Sequence, residues 1–124
     1  MAAPGCAAGG VMVNGGPAKA IAVDSAKYLS GVGYKMYLCR DADGLYCVTA
    51  VCTHMACITA FQSGDNTFYC NCHGSLFDYN GAVLPGIGPA VVPLQHFACC
   101  LDAGGNVVVD HTQTVASDWR LVVA

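Results

Sequence analysis

Two stretches decide how this chain is read: Cys52-Thr53-His54-Met55-Ala56-Cys57 and Cys70-Asn71-Cys72-His73-Gly74-Ser75-Leu76-Phe77-Asp78. Each offers one thiol and one imidazole, Cys52 with His54 and Cys70 with His73, and each leaves a second cysteine over. Cys52 and His54 stand two apart and can turn inward together at a loop tip. Cys70 and His73 stand three apart and can do the same from a second loop. That inventory suits a two-iron cluster, with two cysteines on one iron and two neutral histidines on the other. A mixed Cys/His set also suits zinc, and a lone box would favour it. Two boxes together, with Gly74-Ser75 and a proline loop behind them, favour iron and electron transfer.

The chemistry follows from charge. Two imidazoles in place of two thiolates make the cluster less negative, so it accepts an electron more easily. Such centres lie at roughly −150 to +300 mV, against about −400 mV for all-cysteine plant-type centres. The oxidised cluster lowers the imidazole pKa, so reduction and proton uptake are linked, as quinol oxidation requires.

Bulk properties set the frame. At 124 residues the chain is read as one domain over 1–124, with 1–16 a loose Gly/Ala-rich lead-in and 51–90 the cluster-binding region. Glutamate is absent and glycine abundant, which disfavours long amphipathic helices and favours short strands and turns, an all-β fold. The basic residues Lys19, Lys27, Lys35, Arg40 and Arg120 are scattered, so no nucleic-acid footprint exists. No apolar run is long enough to span a bilayer, and the amino terminus lacks the order of a secretory signal. The chain therefore reads as a trimmed or mature form, or as an unexported one.

Strands are expected over 18–24, 34–40, 45–51, 58–61, 67–70, 91–94, 97–101 and 106–110, with 120–123 a further edge. Turns fall at 41–44, 63–66, 78–81 and 103–105, and Pro85-Gly86-Ile87-Gly88-Pro89 is a rigid loop. A three-residue loop after Arg40 would set Cys39 opposite Cys47. Nine cysteines leave at least one unpaired within the chain. Cys6, Cys39, Cys47, Cys99 and Cys100 are read as small apolar side chains, with a second bridge the lesser reading. Cys99 and Cys100, being adjacent, point to opposite faces of a strand. His96 and His111 read as surface residues, Trp119 as packing, and Asp118 with Arg120 as a solvated pair.

Both boxes resemble those of Rieske iron–sulfur proteins, in the disulfide-bearing branch found in cytochrome bc-type complexes. The resemblance runs roughly from Val51 to Asp110 and takes in Gly88-Pro89-Ala90 and Pro93-Leu94. It implies Cys52, His54, Cys70 and His73 as ligands of one [2Fe-2S] cluster, Ser75 as donor to a cluster sulfide, and Cys57–Cys72 as a loop disulfide. It implies stacked antiparallel sheets, sandwich- or barrel-like, with the loop-built cluster subdomain at one tip under the proline loop. Phe77 stands where high-potential members usually carry tyrosine, so one hydrogen bond to a cysteine sulfur is lost and a lower potential is expected. Ala56 replaces a common glycine, and Val91 a frequent proline.

The implied function is one-electron transfer in a quinol:cytochrome c oxidoreductase-like complex, as a subunit or soluble domain and not as a catalyst by itself. The implied partners are cytochrome c or c1, a cytochrome b-type subunit and quinol, at the periplasmic or outer membrane face. Alternatives are the small Rieske subunit of an arsenite-oxidase-like molybdenum enzyme, a Rieske ferredoxin of an oxygenase system, and a zinc module. Oxygenase ferredoxins usually lack the extra cysteine pair, which counts against that reading.

Overall fold

The computed structural model describes residues 12–53 and 56–123. Among them are nine strands: β1 (Met12–Pro17), β2 (Ala26–Gly31), β3 (Tyr34–Asp41), β4 (Gly44–Thr49), β5 (Ala60–Gln62), β6 (Thr67–Cys70), β7 (Ser75–Phe77), β8 (His96–Leu101) and β9 (Asn106–Val115). A short 3₁₀ turn, Ala18–Ala20, follows β1. The strands form two antiparallel sheets, a six-stranded one in the order β1-β9-β8-β4-β3-β2 and a three-stranded one in the order β5-β6-β7. The large sheet curls until its outer strands approach. Lys27 on β2 donates to the Gly15 carbonyl on β1 at 2.8 Å. A side chain at Gly15 would lie 2.7 Å from the Leu38 side chain and 3.3 Å from Val107 O, so glycine lets β1 lie close over the core of this nearly closed barrel.

The β3–β4 hairpin separates two cores. Alternate side chains of a strand point to opposite faces. Leu38, Leu45 and Cys47 face a core shared with Met36, Val107 and Val109 inside the barrel. Tyr37, Cys39, Tyr46 and Val48 face a second core with Cys52, Phe68, Cys70, Phe77 and Leu94, below the small sheet. Burial on both faces explains why β4 reads as an unbroken buried run. Each large apolar side chain fully buried here contributes roughly 1.5–3 kcal/mol. A slip of one residue would exchange the two cores, so register and site position are fixed together.

Several expectations are corrected. The first strand is not 18–24; it is Met12–Pro17, all but its last residue inside the 1–16 stretch read as loose, and Met1–Val11 lie outside the described residues. Asn14 and Gly16 pair with β9 around a bulge at Gly15, and strand pairing through main-chain groups lets this glycine-rich stretch join the sheet with little side-chain pattern. Strand β2 was missed because it is an edge with Leu29 its one buried residue. Residues 91–94 form no strand; Pro93 lacks an N–H, and the Leu94 N–H donates to Gly81 O at 2.8 Å. Residues 120–123 contribute only the bridge Leu121 to Leu45.

Asp41 pairs with Gly44 across the β3–β4 turn, so Cys39 lies opposite Tyr46 and Cys47 opposite Leu38. The turn is thus one residue shorter than the sequence suggested, and the two cysteines fall into different cores. Cys39, Cys47 and Cys99 are buried free thiols, whereas Cys100 is disulfide-bonded, against the apolar reading. Cys6 lies outside the described residues. His96 is buried, not a surface residue, and stacks on Tyr46. Arg120 turns away from Asp118 and pairs with Asp41 at 2.9 Å. Trp119 packs against the barrel core as expected.

Candidate metal centre

Each box sits at the tip of a hairpin. The first is pinched by the bridge Val51 to Ile58, and Cys52 N–H donates to Cys57 O at 2.8 Å. The second joins β6 to β7, with Cys70 paired to Ser75 and Gly74 N–H donating to Cys70 O at 2.9 Å. Gly74 has φ +81°, a conformation that costs other L-residues roughly 1–2 kcal/mol. The disulfide Cys57–Cys72 ties the two tips with a Cα–Cα distance of 6.5 Å. The sulfurs of Cys57, Cys70 and Cys72 lie within 4.8 Å of one another.

Cys52 and Cys70 are buried, at 4% and 1% exposure, while His73 is exposed. His54 lies outside the described residues. Burial pushes the Cys70 thiol up, and the adjacent Cys52 thiol adds to the rise. The backbone N–H groups of Cys72 and His73 oppose it by pointing at the Cys70 sulfur. Paired buried thiols with amides aimed at one of them suit a metal-bound thiolate, which needs its negative charge stabilised out of water. The donor set therefore fits an iron–sulfur cluster.

A third loop covers the tips. Gly88 lies flat on the second hairpin, where a side chain would come within 2.3 Å of Ser75 Cα and 2.5 Å of Ser75 N. Ala90 N–H donates to Ser75 Oγ at 3.0 Å. That bond occupies a lone pair of the hydroxyl and leaves its hydrogen to donate elsewhere. The Thr53 hydroxyl donates to Val92 O, joining the first tip to the same loop. Ile87, Val91 and Val92 stay exposed on its outer side.

Tyrosines hold this assembly to the barrel. Tyr37 Oη donates to Thr59 O at 2.7 Å, and Thr59 Oγ1 donates to Ala50 O at 2.9 Å, beside the first tip. Tyr79 Oη accepts from Arg40 N–H at 3.2 Å and lies 2.6 Å from Ser25 O and 2.9 Å from Arg40 O. Burial pushes both tyrosines' pKa up, so they act as neutral hydroxyls. Sequence reasoning missed these anchors, because an inward tyrosine reads as core; its buried hydroxyl, which needs a partner, was the available signal. Phe77 is fully buried in the cluster-side core, where the sequence had placed the tyrosine substitution.

The chain matches the Rieske [2Fe-2S] domain over residues 14–98. It is 37% identical over 80 residues to the cytochrome b6-f complex iron-sulfur subunit of Synechococcus sp. (strain CC9605), covering 64% of this chain and 39% of that protein. It is 33% identical over 90 residues to a subunit of the same name from Prochlorococcus marinus, covering 70% and 45%. The chain thus spans less than half the length of these curated relatives. Among solved structures it is similar to the cyanobacterial plasma membrane Rieske protein PetC3 from Synechocystis PCC 6803, with TM-score 0.62, 26% identity and coverage of 78% and 97%. The ferredoxin of carbazole 1,9a-dioxygenase from Nocardioides aromaticivorans IC177 shares the fold, with TM-score 0.56, 20% identity and coverage of 79% and 95%. The Cys57–Cys72 bridge fits the disulfide-bearing, bc-type branch. From the family match and the paired hairpin tips together, the chain belongs to the Rieske [2Fe-2S] domain family, and its cofactor is a [2Fe-2S] cluster.

Proposed function

We propose that this chain is a one-electron carrier in a quinol:cytochrome c oxidoreductase-like complex, with Cys52 and Cys70 on one iron and His54 and His73 on the other. The observation that carries the reading is the stapled pair of hairpin tips, which sets Cys52 and Cys70 in the interior and leaves His73 outside. The cluster supplies a reversible one-electron acceptor. The protein supplies the rest. Amides of Cys72 and His73 stabilise the Cys70 thiolate. The Ser75 hydroxyl, positioned by Ala90 N–H, has a hydrogen left to donate to a sulfide. The proline loop excludes water from that side. His73, at the surface, is the side chain a donor can reach, and its imidazole takes the proton that leaves a quinol hydroxyl with the electron.

In this proposal residues 1–124 act as one domain with 51–90 as the cluster-binding region. The partners are cytochrome c or c1, a cytochrome b-type subunit and quinol. The Cys57–Cys72 bridge supports a periplasmic or outer-face location, since such bonds persist in oxidising compartments. The same bridge favours this reading over an oxygenase ferredoxin. No helix among the described residues is long and apolar enough to cross a membrane.

The test is stopped-flow mixing of the reduced holoprotein with an oxidised c-type cytochrome. Rapid cluster oxidation matched by haem reduction, with quinol able to re-reduce the protein, is expected. Inertness toward both, with fast exchange only with a low-potential oxygenase, would contradict the proposal.

A further inference from the structure

The family match ends at residue 98, yet a later segment grips the cluster half of the molecule. Arg120, with its side chain 10% exposed, bonds Asp41 through Nε and Nη2. Its Nη2 also donates to Asn80 Oδ1 at 2.6 Å, and its Nη1 donates to the carbonyls of Ser117 and Trp119. Asn80 answers by donating from Nδ2 to Ser117 O at 3.1 Å. The guanidinium lies 4.1 Å over the ring of Tyr46, which stacks on His96. His96 Nε2, 2.7 Å from Asn80 O, donates to it. Asn80 is thus held through its side chain by the carboxy-terminal segment and through its backbone by β8.

Asn80 lies in the turn 78–81, from which two arms run back to the metal centre. One arm is β7, which begins at Ser75. The other passes Val83, bridged to Phe77, and Leu84, whose N–H donates to Leu76 O at 2.9 Å. It continues into the proline loop and ends at Ala90, whose N–H holds Ser75 Oγ. Both arms converge on the serine hydroxyl.

We infer that Arg120 and Asn80 are positioning residues for the cluster: the carboxy-terminal segment clasps the 78–81 turn, and that grip fixes the proline loop against Ser75. The inference rests on the Rieske reading only for its electrochemical consequence. The clasp itself is a property of the chain's own contacts. A cation fork is required because one guanidinium must satisfy a carboxylate, an amide oxygen and two carbonyls at once, which a lysine ammonium cannot.

The test uses Asn80→Ala and Arg120→Lys, with Asn80→Asp as the conservative control that keeps an oxygen for Arg120. Amide exchange by mass spectrometry or NMR reads the clasp directly. Exchange of Leu84 and Ala90 N–H is expected to rise about ten- to hundredfold in Asn80→Ala and Arg120→Lys, the loss of one or two buried hydrogen bonds. Asn80→Asp, which keeps the acceptor for Arg120 but loses the amide donor to Ser117 O, should fall between the parent and Asn80→Ala. The reduction potential of the reconstituted holoprotein should fall in the first two variants, by less than in Ser75→Ala. Unchanged exchange at Leu84 and Ala90 would overturn the clasp. Faster exchange with an unmoved potential would overturn the positioning role. Absence of a cluster signal in the unmodified protein would fault the Rieske reading instead and leave the exchange result to stand alone.

Discussion

Replacing Gly88 by alanine probes the cover over the metal centre. The added methyl would sit 2.3 Å from Ser75 Cα, 2.5 Å from Ser75 N and 2.7 Å from Gly74 C. Ordinary carbon contacts lie at about 3.5–4.0 Å, so the proline loop must retreat by more than about 1 Å. The obstacle is backbone on a paired hairpin tip, which cannot swing aside as a flexible side chain does. Overpacking of this kind costs roughly 1–3 kcal/mol. The retreat also stretches the 3.0 Å bond from Ala90 N–H to Ser75 Oγ, a further loss of about 1 kcal/mol. The expected total is about 2–4 kcal/mol, felt first in the loop. Gly86→Ala is the control, since that residue has φ +78° with open space around it and loses only about 1–2 kcal/mol of backbone strain. Urea unfolding and Ala90 amide exchange measure the difference. The reasoning is refuted if Gly88→Ala protects Ala90 as well as Gly86→Ala does.

Other predictions concern the staple, the core and pH. Removing Cys57–Cys72, which closes a separation of 15 residues, in a Cys57→Ser/Cys72→Ser double variant should cost about 3 kcal/mol and lower the melting temperature by roughly 10 °C, with any remaining sensitivity to reductant coming from the Cys100 bridge. Phe77→Tyr should raise the reduction potential if the new hydroxyl reaches a cysteine sulfur, and a potential at or below that of the parent would remove Phe77 as the cause of a low value. Burial lowers the pKa of His96, a pull that Asn80 O opposes and Arg120 reinforces. The unfolded chain therefore takes up the proton first, near the ordinary value of 6.5. The stability His96 contributes is complete above that pH and is lost as pH falls through the lower folded value. Unfolding midpoints should decline from about pH 6.5 downward, and His96→Gln should flatten that decline.

How much was legible depended on how local each signal was. The two boxes, the turns at 63–66 and 78–81 and strands such as Thr67–Cys70 carry their information within a few residues, and they were readable. Strand β1 was not, because the bulge at Gly15 and the glycine beside it leave Val13 as its one buried apolar side chain of any size. The Cys39 and Cys47 positions failed by one residue of turn length, which sends a side chain to the other face. The Arg120 partnership failed for another reason. Its acid, Asp41, is far away in sequence, and nothing near Arg120 favours that carboxylate over Asp118, two residues away. Buried His96 likewise owes its place to Tyr46 and Asn80, contacts that only the closed barrel supplies. For the centre, the order of residues in the boxes was visible, while the tyrosine anchors and the glycine seat beneath the proline loop needed three dimensions.

The central claim is a two-iron cluster held unequally, by sulfur on one side and imidazole on the other. An EPR-monitored redox titration of the purified holoprotein over a pH series tests it most directly. The account predicts one cluster signal with a midpoint inside roughly −150 to +300 mV that falls as pH rises through the histidine ionisations. A midpoint near −400 mV that ignores pH, or stoichiometric zinc with no iron signal, would contradict it.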